Sequence, residues 1–217
     1  MLIGIPTLNN PIGLTRLLDS IKTSYEYDIH VIDNGRNLPQ QTIDVTTPKR
    51  NLGVAPSWNY LINLALVGHY SYILLLNDDI ILEEYCIDNM VESLIEHSML
   101  AISGVQTKSF DDTYAQPRYM RGMHFSCFML TPRCIESVGF FDEMYAPAYT
   151  EDTDYYYRLE RLNKNYGCDR WARFLHFKNK KARGIKHSLA KNRAYFTKKW
   201  GISPKVVFNR MVEGRTL

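Results

Sequence analysis

The chain has 217 residues, 45% of them hydrophobic, which suits one globular domain with a sizeable core and excludes the disordered and fibrous classes. Its net charge of +3 conceals an asymmetry: 9 lysines and arginines stand against 20 acids up to Tyr157, and 17 against 3 beyond it. No apolar run reaches the ~20 residues of a membrane-spanning helix, and Met1 to Pro6 lacks the basic start and apolar middle of a signal peptide, so the expected location is the cytosol, with peripheral membrane contact left open.

Along the chain, Leu2 to Ile5 predicts a short strand closed by Pro6, and Leu14, Leu17, Leu18 and Ile21 recur at the spacing of one helix face. Ile29 to Ile32 reads as a second strand. A turn-rich stretch around Asn34-Gly35 and Pro39 leads to a β-like segment, Thr42 to Thr46, and then to a helix from Pro56 to Val67, where Pro56 suits the first turn. Tyr72 to Leu76 is the strongest strand, followed by a helix over Glu84 to His97 and a strand over Leu100 to Val105. Strands apolar throughout belong in a sheet covered on both faces, and their alternation with helices predicts an α/β fold. The second half is less regular. Residues 106 to 122 have no clear period, His124 to Leu130 reads as a strand and Pro132 to Val138 as a short helix. Glu151 to Leu162 reads as a helix with Tyr155, Leu159 and Leu162 on one stripe, and residues 177 to 187 as a mobile basic loop. Cys86, Cys127, Cys134 and Cys168 form no C-x-x-C pair and read as buried thiols rather than a disulfide scaffold or zinc site.

Asn77-Asp78-Asp79 follows the strongest strand. Ligands of open α/β sheets bind at the carboxyl ends of strands, and adjacent carboxylates there suit a hard cation that shares its shell with substrate phosphates. Asn and Asp are also ordinary turn residues, so the triplet alone is a weak signal. Further segments stand in order: Pro6-Thr7-Leu8-Asn9 after the first strand, Val31-Ile32-Asp33-Asn34-Gly35 closing the second, Asn51-Leu52-Gly53 with Asn59, Val138-Gly139-Phe140-Phe141-Asp142-Glu143, Tyr149-Thr150-Glu151-Asp152-Thr153-Asp154, His176, and the closing run from Arg193 to Gly201.

Together these segments, from Ile3 to Gly201, resemble the family 2 glycosyltransferases of GT-A fold. The resemblance implies a Rossmann-like nucleotide-sugar-binding half, residues 1–105, with a mostly parallel mixed sheet, fused in one domain to an acceptor-binding half, residues 106–217. It implies an inverting, Mn²⁺- or Mg²⁺-dependent transfer from a nucleoside-diphosphate sugar, a UDP-sugar foremost, to a hydroxyl of a glycan or glycoconjugate. Pro6 and Asp33 would face the nucleobase, although Asp33 could equally make an Asx turn with Asn34-Gly35. Thr7, Asn9, Asn51 and Asn77 would join the donor site, Asn51 having the alternative of a helix-preceding cap. Asp78 would meet the ribose or metal shell, and Asp79 would be the direct metal ligand. His176 would be a further metal ligand or touch the diphosphate, with a satisfied core residue as the alternative. Asp152 would be the catalytic base, with Glu151 and Asp154 competing and a helix-dipole role as the alternative for all three. Trp200-Gly201 reads as packing. One departure stands out: the family's metal motif usually begins with Asp where this chain has Asn77.

The basic region, residues 158–217, predicts an anionic partner, either nucleic acid or a membrane surface, or a tail folded onto the acidic half. Lys178, Lys180, Lys181 and Arg183 would close over the diphosphate, leaving Lys191, Arg193, Lys198, Lys199, Lys205 and Arg210 for an anionic acceptor or surface. Rival readings are a glycosyltransferase acting on hydroxylated bases in DNA and a non-catalytic nucleotide-sugar-binding module. A nucleotidyltransferase is disfavoured, because Thr7-Leu8-Asn9-Asn10-Pro11 is not a Gly-rich, Arg-containing loop. Acceptor specificity is expected in residues 106 to 122.

Overall fold

The structure, a computed structural model, describes residues 1–39, 42–177, 186–213 and 215–216. The first half runs β1 (Leu2–Thr7), α1 (Pro11–Ser20), β2 (Asp28–Asp33), β3 (Asp44–Thr46), α2 (Val54–Val67), β4 (Ile73–Leu76), β5 (Ile80–Leu82), α3 (Cys86–Glu96) and β6 (Ala101–Thr107). The second half adds β7 (Tyr119–Arg121), β8 (Cys127–Leu130), α4 (Pro132–Val138), a 3-10 turn (Glu143–Tyr145), α5 (Glu151–Arg161), β9 (Tyr166–His176), α6 (Lys186–Trp200), α7 (Pro204–Glu213) and β10 (Arg215–Thr216).

All the strands join one mixed sheet in the order β10-β7-β9-β6-β8-β4-β1-β2-β3, with β5 paired to β9. The N-terminal section β4-β1-β2-β3 is parallel throughout, whereas β8 is antiparallel to both β4 and β6. The pleat explains why β4 is apolar at every position: Ile73 and Leu75 pack into the cluster with α2 and α5, and Leu74 and Leu76 into the cluster with α1 and α3. Helices thus cover both faces, as the unbroken apolar strands required.

The expected elements of the first half lie close to their observed bounds, although β5 was not anticipated, and several elements of the second half differ from expectation. His124 to Leu130 narrows to β8, and Leu162 caps α5 exposed to solvent instead of extending its buried stripe. The eleven-residue β9 was not anticipated because it carries Asp169 and Arg173 among its apolar residues. Both are buried and paired, Asp169 with Arg118 at 2.8 Å and Arg173 with Glu83, so their charges do not oppose the strand. All four cysteines are free and buried. Residues 178–185, the greater part of the expected mobile loop, lie outside the described residues. Among the described residues no helix is long and apolar enough to cross a membrane.

Part of the basic region is folded onto acids. Arg158 pairs with Asp154 at 3.0 Å, Arg210 with Glu160 at 2.9 Å, and Lys199 with both Asp142 (2.7 Å) and Asp154 (2.8 Å). The expectation that Lys199 and Arg210 are free for an anionic acceptor is therefore corrected: both are held by the chain's own carboxylates.

Candidate active site

The carboxyl ends of β1 and β4, the start of α2 and the N-terminus of α5 surround a cleft of about 600 Å³. Pro6, Thr7, Asn9, Asn51, Asn77, Asp78, Asp79, Glu151, Asp152 and His176 all line it, although they lie far apart in sequence. Asp33 does not. It is buried at the end of β2, where its two carboxylate oxygens accept the backbone N–H groups of Gly35 (3.1 Å) and Leu38 (3.0 Å). The Asx-turn alternative is the one observed, and Asp33 is not among the residues that line the cleft.

The two adjacent aspartates differ in their surroundings. Thr7 Oγ1 donates to Asp78 Oδ2 at 2.5 Å and Leu8 N–H to the same oxygen at 3.3 Å, which ties the end of β1 to the end of β4. Burial pushes the Asp78 carboxyl above its usual range, and these hydrogen bonds offset part of that rise. Asp79 faces His176 instead, with Oδ1 3.0 Å from Nε2. Strand pairing sets this contact: Ile80 is opposite His176 in the β5/β9 ladder, and Phe177 N–H donates to Asp79 O at 2.8 Å. Among the described residues no group of three or more His, Cys, Asp or Glu side chains forms a metal cage. One carboxylate and one imidazole make an incomplete shell, which suits a divalent cation that takes its remaining ligands from a diphosphate and water. Asn77 turns to Ser126, donating from Nδ2 to Ser126 Oγ at 3.2 Å.

Three acids open α5, and the structure separates them. Asp154 is fully buried and accepts from Trp200 Nε1 (2.7 Å), Lys199 Nζ (2.8 Å), Arg158 Nε (3.0 Å) and Tyr145 OH (3.1 Å), so it is a packing centre away from the cleft. Trp200 accordingly packs, as expected. Glu151 is 6% exposed, lines the cleft and leaves Oε2 without a hydrogen-bond partner; burial, then the neighbouring Asp152, pushes its carboxyl well above the usual range. Asp152 is more open, one oxygen taking Thr153 N–H at 2.6 Å, and burial raises its carboxyl too. A carboxylate so raised is a better proton acceptor at neutral pH than an exposed one.

Two supports were not singled out in the sequence. Tyr149 and Thr150, immediately before these acids, both hold positive φ (78° and 80°), a conformation that costs a non-glycine residue on the order of 1–3 kcal/mol. Asn192, fully buried in α6, holds the segment by donating from Nδ2 to the carbonyls of Tyr145 (2.6 Å), Ala148 (2.9 Å) and Tyr149 (2.9 Å). Its one legible signal is a polar residue four positions before buried Phe196 on the inner face of a helix. On the other side, Val54 N–H donates to Pro147 O at 2.8 Å. Gly53 has φ +86°, and a Cβ there would lie 2.6 Å from Pro147 O, so only glycine lets α2 begin against this loop. Buried Asn34 adds a further tie, donating to Ser57 Oγ at 3.0 Å and accepting Leu52 N–H at 2.8 Å.

A mixed sheet with its cleft at the carboxyl ends of parallel strands, carrying an Asp-His pair and an acidic helix start, is the GT-A architecture. The chain belongs to the family described as Glycosyl transferase family 2, whose profile matches residues 2–155. It is 36% identical over 93 residues to a galactofuranosyl glycosyltransferase of Leishmania donovani, a match that covers 41% of this chain and 21% of that protein. The matched region is thus about a fifth of that relative's length. Among solved structures, it is similar to the mannosyltransferase PcManGT of Pyrobaculum calidifontis in complex with GDP-Man and Mn²⁺ (TM-score 0.63, 15% identity, 98% of this chain and 67% of that one). It is also similar to GalNAc-T7 with UDP, GalNAc and Mn²⁺ (TM-score 0.73, 11% identity, 96% of this chain and 49% of that one). At these identities the likeness establishes the fold.

Proposed function

We propose that the chain transfers a sugar from a nucleoside-diphosphate sugar to a hydroxyl of a glycan or glycoconjugate in a single displacement that inverts the anomeric carbon. The observation that carries this reading is that one cleft is lined both by Asp79 with His176 and by Asp152. Asp79 and His176 would hold a divalent cation, Mn²⁺ or Mg²⁺, which supplies Lewis-acid stabilisation to the leaving diphosphate. Thr7, Asn9 and Asn51, which line the cleft, would orient the donor. Asp152 would accept the proton of the acceptor hydroxyl as that oxygen bonds to the anomeric carbon, because an un-ionised sugar hydroxyl is a poor nucleophile. Family membership and the GDP-Man and UDP held by the similar structures support the donor class. Asp33, turned to backbone N–H groups, gives no support to uracil in particular, so UDP-sugars are the first donors to test and not the only ones.

The test is a panel of UDP-, GDP- and dTDP-sugars, read by thermal shift and by donor hydrolysis with and without Mn²⁺. One donor that both stabilises the protein and is consumed is the expected result. Stabilisation without consumption under every condition would favour a nucleotide-sugar-binding module instead.

A further inference from the structure

We infer that the outer face of α6 and α7 is a docking surface for an anionic lipid membrane. Between Arg170 and Val212 the sequence holds no aspartate or glutamate. Within that span Arg173, Lys199 and Arg210 are taken by internal carboxylates. Arg193, Lys198 and Lys205 are exposed and line a shallow groove between α6 and α7 together with Ala194, Thr197 and Ser203, without an acid among the lining residues. Lys191 is exposed on the same helix, one residue from the buried Asn192. Among the described residues no carboxylate pairs with these cations, and they attract a surface of negative charge.

Apolar side chains on the same face decide which anionic surface. Two stripes run along α7 at i, i+3, i+7: Pro204, Val207 and Met211 point into the core, and Lys205, Phe208 and Val212 point outward. Phe208 is 44% exposed and Val212 38%. A phosphate backbone offers such side chains nothing, whereas a lipid interface accepts the apolar residues below the headgroups and pairs the flanking cations with them. Arg193, Lys198 and Lys205 stand outside the donor cleft, and the lipid-docking reading does not depend on donor chemistry.

The test is co-sedimentation of the full chain, without donor, with vesicles of phosphatidylcholine alone or mixed with phosphatidylglycerol, across a salt series. Binding is expected to the anionic vesicles only. The triple variant Arg193→Ala, Lys198→Ala, Lys205→Ala should lose on the order of 100-fold in vesicle affinity, with unchanged melting and unchanged donor hydrolysis. Phe208→Ser should weaken vesicle binding most at high salt, where the charges are screened. No binding to anionic vesicles at low salt overturns the inference. So does binding to duplex DNA that equals the vesicle binding and is indifferent to Phe208→Ser. Failure of donor hydrolysis in the parent chain would bear on the proposed transfer and leave this surface untouched.

Discussion

His176 Nε2 lies 3.0 Å from Asp79 Oδ1, and the contact is a consequence of strand pairing. The short β5 that follows Asp79 docks antiparallel on the end of β9, so the last residue of one ladder meets the first acid beyond the other. Neither residue alone would hold a divalent cation firmly, and under the proposed function the pair would supply two of the donors such a cation needs.

Loss of the metal contact should remove most catalysis. Asp79→Asn, or an excess of chelator, is expected to lower turnover on the order of 10²-fold or more, since Lewis-acid stabilisation of a leaving group contributes several kcal/mol. His176→Ala should retain activity but require more Mn²⁺ for half-maximal rate. Initial rates across a Mn²⁺ titration check both, and full turnover in chelator would eliminate the metal from the mechanism.

As the proposed base, Asp152 would act only when ionised. Asp152→Asn should lose on the order of 10²- to 10⁴-fold in turnover with donor affinity little changed. Because burial raises this carboxyl, the acid limb of the pH–rate profile should lie above the ordinary aspartate range. A crippled Glu151→Gln beside a competent Asp152→Asn would transfer the role to the neighbour.

Glu151 predicts a pH-dependent stability. Its folded-state pKa is raised above the unfolded value, so below the unfolded value the acid is protonated in both states and carries no penalty. As pH rises through and beyond that value, the fold must either keep the proton against the solvent or bury an unpaired charge. Glu151→Gln should therefore melt higher than the parent at neutral pH, with the gap closing as pH falls into the ordinary carboxylate range. Paired melting curves from acid to neutral pH test this, and a gap that widens toward acid would contradict it.

Asn192 is predicted to position the base. Asn192→Ala leaves two buried carbonyls and the part-buried Tyr149 carbonyl without their shared amide donor, which should destabilise the fold by about 1–3 kcal/mol. The segment it holds, Tyr149-Thr150, leads directly into Glu151-Asp152, so turnover should fall further than donor affinity. Comparing kcat with donor Kd at a temperature where the variant is folded separates this from simple unfolding; a proportional loss of both would mark Asn192 as purely structural.

The first half of the fold and most of the cleft were legible in the sequence. Apolar strands buried on both faces leave a continuous pattern, and the groups at their carboxyl ends, Pro6-Thr7 and Asn77-Asp78-Asp79, follow from chain order alone. Gly53 and the acids of α5 could also be named from their motifs.

What the tertiary structure decided is which like residue does which task. Asp33 is turned to Gly35 and Leu38, and Asp154 to Lys199 and Trp200, while Asp78, Asp79 and Asp152 border the cleft, Asp78 tied there by Thr7 and Leu8. Lys199 and Lys198 are neighbours in sequence, yet one is drawn inward by Asp142 and Asp154 and the other faces the groove. The composition of the chain is the same in either case. A carboxylate or an ammonium group is assigned by the partners that long-range packing brings within about 3 Å of it, and those partners come from strands and helices that no local pattern connects.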